Sequence, residues 1–259
     1  TYVVRLRHGV QFHNGRELTS EDVVYTFSSF LDPTFRGRSA AYRIVASVKA
    51  VDRYTVVFTL KERAAQFPVN LVMGIVQGLT EFLPVSSSGH LIIVPWLFGW
   101  DDAFITSLAF SVMLHLGTLI ALLVYFRDDW LRLIPAGFAT IRDRGFDGNP
   151  DRKLAWLLVA ATIPAAIVGA LFSDFFETQV RHVGLVALTL VIGGIILWIA
   201  DRVGKQTKKV DDVTFPLAVG IGAAQTIALI PGISRSGISI SAGRFAGLDR
   251  ESAARFAFL

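Results

Sequence analysis

The sequence has no cysteine among its 259 residues, which excludes disulfide bonds, thiolate metal ligands and cysteine nucleophiles. Charged residues are also scarce, at 18% against 53% hydrophobic residues. A soluble domain usually carries about 25% charged residues. Together with a mean hydropathy of +0.52, this composition indicates that most of the chain is a membrane protein.

The net charge of +4 does not indicate a nucleic-acid partner, because the basic residues lie mainly in short segments between apolar runs. Residues 127–153 and 201–212 are rich in Arg and Lys. Such a bias marks cytoplasmic loops of membrane proteins. We therefore expect both segments on the cytoplasmic side and residues 174–182 on the outer side.

Three apolar runs are long enough to cross a bilayer, which takes about 20 residues of helix. They cover residues 104–126, 154–173 and 183–200. Each has the length and all-round apolarity that are typical of a transmembrane helix.

Two further apolar segments are interrupted by a proline and small polar residues. Residues 69–98 contain PVSSSG, and residues 213–242 contain PGISRSG. Irregular backbone at membrane depth occurs only where it is buried in protein or lines a cavity. The pattern predicts two re-entrant hairpins and a cavity beside them.

The two interrupted segments have the features of an internal repeat. Each carries a glutamine, Gln77 or Gln225, followed by an apolar run, a proline, and a serine-rich loop that ends in glycine. With three spans between them, the two hairpins enter the membrane from opposite sides, as inverted repeats do. The chain reaches residue 259 before the helices that we expect to complete the second repeat, so we expect weak or no activity from it.

Polar residues are concentrated in the first interrupted segment. Glu81, His90 and the three serines at 86–88 lie in a run apolar enough for a membrane. Polar groups are costly there, so a sequence that keeps them there is expected to use them. This segment is therefore a candidate active site.

The first 67 residues differ from the rest, with mixed charges and no run long enough to span a bilayer. Residues 1–12 and 54–62 alternate like strands. Between them, LTSEDVVYTFSSFLD predicts a helix capped by Thr19 or Ser20, after a turn at Asn14-Gly15. This region resembles an interior lobe fragment of the peptide- and nickel-binding family of extracellular solute-binding proteins. The resemblance lies in the segments LRHGVQFHNGRELTSEDVVYTF and VKAVDRYTVVFTLKE. The start at Thr1, without an initiator Met, leads us to expect an excerpt or a fusion.

From residue 69 onward, QGLTEFLPVSSSGH and PGISRSGIS resemble the signature motifs of the undecaprenyl pyrophosphate phosphatase family of bacitracin-resistance enzymes. The resemblance implies a mainly α, polytopic helical membrane protein with inverted repeats, truncated at its C-terminus and preceded by a small α+β fragment. We place the division between residues 67 and 68. The family implies an undecaprenyl-diphosphate phosphatase of the bacterial inner membrane that acts on a polyprenyl diphosphate lipid, with a homodimer as a candidate assembly.

Carried over position by position, the resemblance implies four catalytic residues: Glu81, Ser87, His90 and Arg235. It implies a larger set of substrate-binding residues, in which Ser239 stands where the family often has threonine. These are Gln77, Ser86, Ser88, Gly89, Gly232, Ser234, Ser236 and Ser239. Glu81 is also a candidate ligand for a divalent cation, Mg or Ca, although Gln77 in place of glutamate weakens a two-carboxylate metal site.

Phosphoanhydride hydrolysis needs cations at the transferred phosphoryl group and an in-line nucleophile. The planar guanidinium of Arg235 matches phosphate oxygens. Either Ser87 attacks with His90 as its base, the favoured alternative, or the hydroxyls hold phosphate while water attacks. Glu81 then binds the cation or orients His90, and His115 is interpreted as a packed histidine.

A second functional class is a non-enzymatic peptide-binding or transport-related fusion protein, or an inactive chimera. Importer binding proteins need no transmembrane spans, and a transporter needs no set of Ser, His, Glu and Arg. Loss of phosphate release on substituting Arg235 and Glu81 separates the two classes.

Overall fold

The computed structural model describes residues 1–12, 15–31, 44–61, 67–146, 148–178, 180 and 182–259. The chain divides into two compact units, Thr1–Leu71 and Val72–Leu259. The division falls within a continuous helix, Phe67–Phe82.

The N-terminal unit contains a three-stranded antiparallel sheet and one helix. Its elements are β1 (Tyr2–Arg5), α1 (Ser20–Leu31), β2 (Val45–Asp52) and β3 (Thr55–Leu60), and the sheet order is β1-β3-β2. The predicted helix is confirmed, and the Asp22 carboxylate accepts a hydrogen bond from the Thr19 backbone N–H at 2.8 Å. The first predicted strand is wrong beyond Arg5, β2 was not predicted, and the predicted Asn14-Gly15 turn includes a residue outside the described ones.

One face of α1 covers this sheet. The T-shaped ring pair of Phe27 and Phe58, with centroids 4.9 Å apart, joins helix to sheet. Val45, Val56 and Phe58 are at most 1% exposed, so the alternating apolar residues of β2 and β3 face this small core.

Within the described residues, the regular elements of the C-terminal unit are helices, with one isolated β-bridge between Lys208 and Leu248. After α2 (Phe67–Phe82), its helices are α3 (Ser87–Phe98), α4 (Leu108–Tyr125), α5 (Arg127–Asp143), α6 (Pro150–Thr178), α7 (Val183–Val203), α8 (Phe215–Gln225), α9 (Arg235–Phe245) and α10 (Arg250–Phe258). Single 3-10 turns occupy Val210–Asp212 and Thr226–Leu229.

Three of these helices are long and apolar enough to cross a membrane: Leu108–Tyr125, Pro150–Phe172 and Val183–Val203. They confirm the three predicted spans. The first begins four residues later than predicted, at 108 instead of 104, because Asp102 and Ser107 organise a turn before it. The Asp102 carboxylate accepts from the Phe104 N–H at 2.8 Å, and the Ser107 hydroxyl caps α4. The predicted outer loop is shorter, because α6 continues to Thr178.

The segment predicted as a long cytoplasmic loop is mostly helical. The 17-residue α5 buries Leu133 and exposes Leu131, Ile134 and Phe138 on another face. Acidic residues lie in its first turn and Arg142 in its last, which complements the helix dipole. The charges that mark this segment as cytoplasmic are thus carried largely by an amphipathic helix.

Both predicted interruptions are present. Leu83–Ser86 separates α2 from α3, and Ile230–Ser234 follows the Thr226–Leu229 turn and precedes α9. The helices beside the breaks have between 11 and 16 residues. At about 1.5 Å per residue, each is shorter than the roughly 30 Å hydrocarbon core.

Helix α8 packs against α6 at a glycine. A methyl group added to Gly222 would lie 1.9 Å from the backbone oxygen of Ala161, far inside van der Waals contact. Ala161, Leu157 and Ile221 are buried beside this crossing. The close approach positions α8 and hence the second interrupted segment.

Gly222→Ala should lower the unfolding midpoint of the purified protein in detergent micelles, because overpacking of this kind costs about 1–3 kcal/mol. Gly220→Ala is the matched control, since a methyl group there meets nothing within 4 Å. An unchanged midpoint for Gly222→Ala would contradict the close α6–α8 packing.

Candidate active site

The first serine-rich loop ends as the N-terminal cap of α3. Ser86 is the N-cap residue, and its Oγ accepts a hydrogen bond from the Gly89 backbone N–H at 3.4 Å. Its hydroxyl also lies 3.3 Å from that of Ser88. Ser86 has a φ of 68°, so the chain turns sharply at this residue, and Ser87 is the first residue of α3.

The second loop repeats this arrangement at α9. Ser234 is the N-cap residue, its Oγ accepts from the Gly237 N–H at 3.0 Å, and its hydroxyl lies 3.2 Å from that of Ser236. The sequence repeat therefore corresponds to a repeated helix cap. Free N–H groups at such helix starts favour anions.

The two loops contact each other. A methyl group added to Gly89 would lie 3.1 Å from the Cα atom of Gly232, and one added to Gly237 would lie 3.0 Å from the Pro84 carbonyl oxygen. Helix α7 supports the contact, because the Thr189 hydroxyl donates to the Pro231 carbonyl at 2.6 Å. Glycine at these positions lets two N-capped helices begin side by side.

Glu81 joins the two loops at the end of α2. Its Oε2 accepts a hydrogen bond from the Ser87 hydroxyl, and its Oε1 lies 3.1 Å from a terminal nitrogen of Arg235. The Gln77 amide donates to Oε2 at 3.3 Å. The structure thus brings together Glu81, Ser87 and Arg235, three of the four residues predicted to be catalytic.

His115 completes the group from α4. Its Nε2 lies 3.4 Å from the Ser87 Oγ and 3.7 Å from Oε2 of Glu81. The interpretation of His115 as a packed histidine is therefore wrong about its surroundings. Nothing near His115 in the sequence indicates that Glu81 and Ser87 lie beside it, since a turn and an apolar run separate these residues from α4.

His90 does not pair with Ser87 among the described contacts. Its Nδ1 lies 2.8 Å from the carbonyl oxygen of Ser86, which turns the ring back over the start of α3. His90 also lines a cavity of about 760 Å³, together with Pro84 of the first loop, Ser234 of the second loop, and Arg250. The structure pairs Ser87 with His115, and the predicted Ser87–His90 pairing is corrected accordingly.

The other residues predicted to bind substrate have varied environments. Ser86, Ser234 and Ser239 are each at most 8% exposed, and Gln77 is 1% exposed. Within the described part of the chain, Ser239 Oγ and Gln77 Oε1 are buried without a hydrogen-bond partner. Gly89 and Gly232 serve the contact between the loops, and substrate binding by all these residues stays a prediction.

In the described ranges, no group of three or more His, Asp or Glu residues could hold a metal ion. Both carboxylate oxygens of Glu81 are already engaged, Oε1 by Arg235 and Oε2 by Ser87. A divalent cation at Glu81 stays a prediction.

Residues 70–259 match the family model described as bacitracin resistance protein BacA. The chain belongs to the BacA family. The match covers both serine-rich loops and every residue of the Glu81 group, so the geometry described above is that of a BacA family member.

Curated relatives are similar over the same region. The chain is 52% identical over 189 residues to a protein named undecaprenyl-diphosphatase from Desulforudis audaxviator, which covers 73% of this chain and 69% of the relative. Proteins of the same name from Rubrobacter xylanophilus and Teredinibacter turnerae are 50% and 47% identical, again over 73% of this chain. Their matched shares are 69% and 70% of their own lengths.

The N-terminal region of this BacA family member matches a second model. Residues 1–92 match the middle region of bacterial extracellular solute-binding proteins, family 5. The match supports the resemblance seen in the sequence of the first 67 residues, and it extends past them into α2 and α3.

Gly232→Ala should raise amide hydrogen exchange in the peptide that covers residues 228–240. Gly232 has a φ of 98°, and an added methyl group would lie 2.0 Å from the Thr189 hydroxyl oxygen, so the loop must move. Gly194→Ala on α7 is the control, since a methyl group there meets nothing within 4 Å. Equal protection in both variants would show that the loop does not depend on this contact.

Proposed function

We propose that this chain is an undecaprenyl-diphosphate phosphatase, which hydrolyses undecaprenyl diphosphate to undecaprenyl phosphate and inorganic phosphate. The main support for this proposal is the position of Glu81, which contacts both Ser87 at the first serine-rich loop and Arg235 at the second. This places an acid, a hydroxyl and a guanidinium at the junction of two N-capped helices. The name of the curated relatives supports the same activity.

Arg235 is suited to bind the diphosphate. Its side chain is 62% exposed, so it can turn toward an incoming ligand without unpacking a core. Its guanidinium can bind two phosphate oxygens at once. The starts of α3 and α9 add backbone N–H groups and partial positive charge.

Ser87 is the proposed nucleophile for the terminal phosphorus. Its Oγ is already hydrogen-bonded to the Glu81 carboxylate, which orients a lone pair of the hydroxyl oxygen away from Glu81. Attack forms an Oγ–P bond and breaks the bond from phosphorus to the bridging oxygen, releasing undecaprenyl phosphate. Water then hydrolyses the phosphoserine; direct attack by water, with Ser87 only holding phosphate, is the alternative.

The spans provide a lipid-facing surface for the polyprenyl chain. Val112, Leu116 and Leu119 of α4 are each about half exposed, and apolar side chains on spanning helices face lipid.

We place the protein in the bacterial cytoplasmic membrane, with the site open to the periplasmic face. There it would recycle the lipid carrier for peptidoglycan synthesis and confer bacitracin resistance. A homodimer and a requirement for Mg²⁺ or Ca²⁺ are separate predictions, checked by light scattering in detergent and by chelator titration.

Arg235→Ala and Glu81→Ala should each lower phosphate release from farnesyl or undecaprenyl diphosphate by at least about 100-fold. The first removes the positive charge positioned for the phosphoryl group, and the second removes the carboxylate that orients Ser87 and pairs with Arg235. Single-turnover conditions, with protein in excess over substrate, make a slow rate measurable. Arg142→Ala is the matched control, since Arg142 is an exposed residue of α5 that pairs with the adjacent Asp143.

Unchanged phosphate release in both variants would remove the catalytic assignment and favour a non-enzymatic binding or transport protein. Equal losses in the Arg142→Ala control would mean that the effect is not specific to the site.

A further inference from the structure

The hydroxyl of Ser87 has two neighbours that can take part in proton transfer. Glu81 Oε2 accepts its hydrogen bond, and His115 Nε2 lies 3.4 Å from its oxygen. The His115 side chain is 32% exposed, so the protein does not fully enclose the ring. Its ring is therefore the one imidazole that the described residues place beside both Glu81 and Ser87.

The backbone of α4 fixes which ring nitrogen of His115 can exchange a proton. Nδ1 lies 2.7 Å from the carbonyl oxygen of Ser111. A carbonyl only accepts hydrogen bonds, so Nδ1 carries the hydrogen. Nε2 is then the nitrogen that faces Ser87, and it does so in a fixed ring orientation.

One long hydrogen bond joins this turn of α4 to α2. The Thr118 hydroxyl donates to the His115 carbonyl at 2.9 Å, and the Gln77 amide lies 3.4 Å from the same hydroxyl. Gln77 also donates to Glu81. One glutamine thus links the carboxylate to the helical turn that presents the imidazole.

We propose that His115 is a catalytic residue of the phosphatase, the base that takes the proton of Ser87 during its attack. The inference rests on the proposed function. The Ser87 hydroxyl turns its hydrogen from Glu81 Oε2 to Nε2, and this proton moves to Nε2 as the Oγ–P bond forms and the bond to the bridging oxygen breaks. The resulting imidazolium is stabilised by the Glu81 carboxylate and gives the proton to the bridging oxygen of the departing undecaprenyl phosphate. The neutral Nε2 then takes a proton from the water that attacks the phosphoserine, and gives it to Ser87 Oγ as the Oγ–P bond breaks.

Glu81 is better suited to stabilise this imidazolium than to keep the proton itself. Its charge holds Arg235 at 3.1 Å across the two loops. A protonated Glu81 would lose that ion pair at the moment when Arg235 must stay near the phosphoryl group. A histidine base beside a carboxylate retains the carboxylate charge, as in other serine-based catalytic groups.

The test compares His115→Gln and His115→Ala with His182→Gln, an exposed histidine at the start of α7. Glutamine keeps a hydrogen-bonding side chain but cannot take the proton. We expect kcat of His115→Gln to fall about 10²- to 10⁴-fold, with KM within about threefold of the wild type. Rapid-quench experiments with labelled farnesyl diphosphate should show correspondingly slower formation of phosphoserine.

Added imidazole should restore phosphate release by His115→Ala, whereas pyrazole, a ring of the same size and a much weaker base, should not. A kcat of His115→Gln within threefold of the wild type would overturn the proposal. So would a loss confined to KM, or a loss that imidazole leaves unchanged. Wild-type phosphate release that Arg235→Ala and Glu81→Ala leave unchanged would instead contradict the proposed function, so the two failures are distinguishable.

Discussion

The site depends on a single carboxylate in an otherwise apolar helix. Glu81 is only 15% exposed, and a charge so placed is costly unless it is paired and hydrogen-bonded. Arg235 supplies the opposite charge, and Ser87 and Gln77 supply hydrogen bonds. These partners come from three segments of the chain, so solvation of one carboxylate draws both interrupted segments together.

Much of the C-terminal unit could be predicted because its signals are local. Long apolar runs give the three spans, since lipid requires internally bonded helices of sufficient length. Proline followed by small polar residues gives the two breaks. The proximity of Glu81, Ser87 and Arg235 followed from the repeat, whose two loops meet.

The rest could not be predicted because it depends on which helix faces which. His115 lies in a span with no neighbouring acid in sequence, and only the fold brings Glu81 of α2 and Ser87 of α3 to its ring. His90 looked better placed, three residues after Ser87, but its ring bonds to the carbonyl of its own helix start. Helix α5 was hidden for another reason, since its charges matched those of a cytoplasmic loop.

The repeat also explains why neither copy has all the parts of an anion site. Both copies supply a serine cap and free N–H groups at a helix start. The first copy adds the acid Glu81, whereas the second adds the cation Arg235 in the position that Ser87 occupies in the first, one residue after the cap. A diphosphate needs positive charge beside a nucleophile. Divergence at this one position of a repeated cap provides both, but only while the glycine contacts keep the two helix starts together.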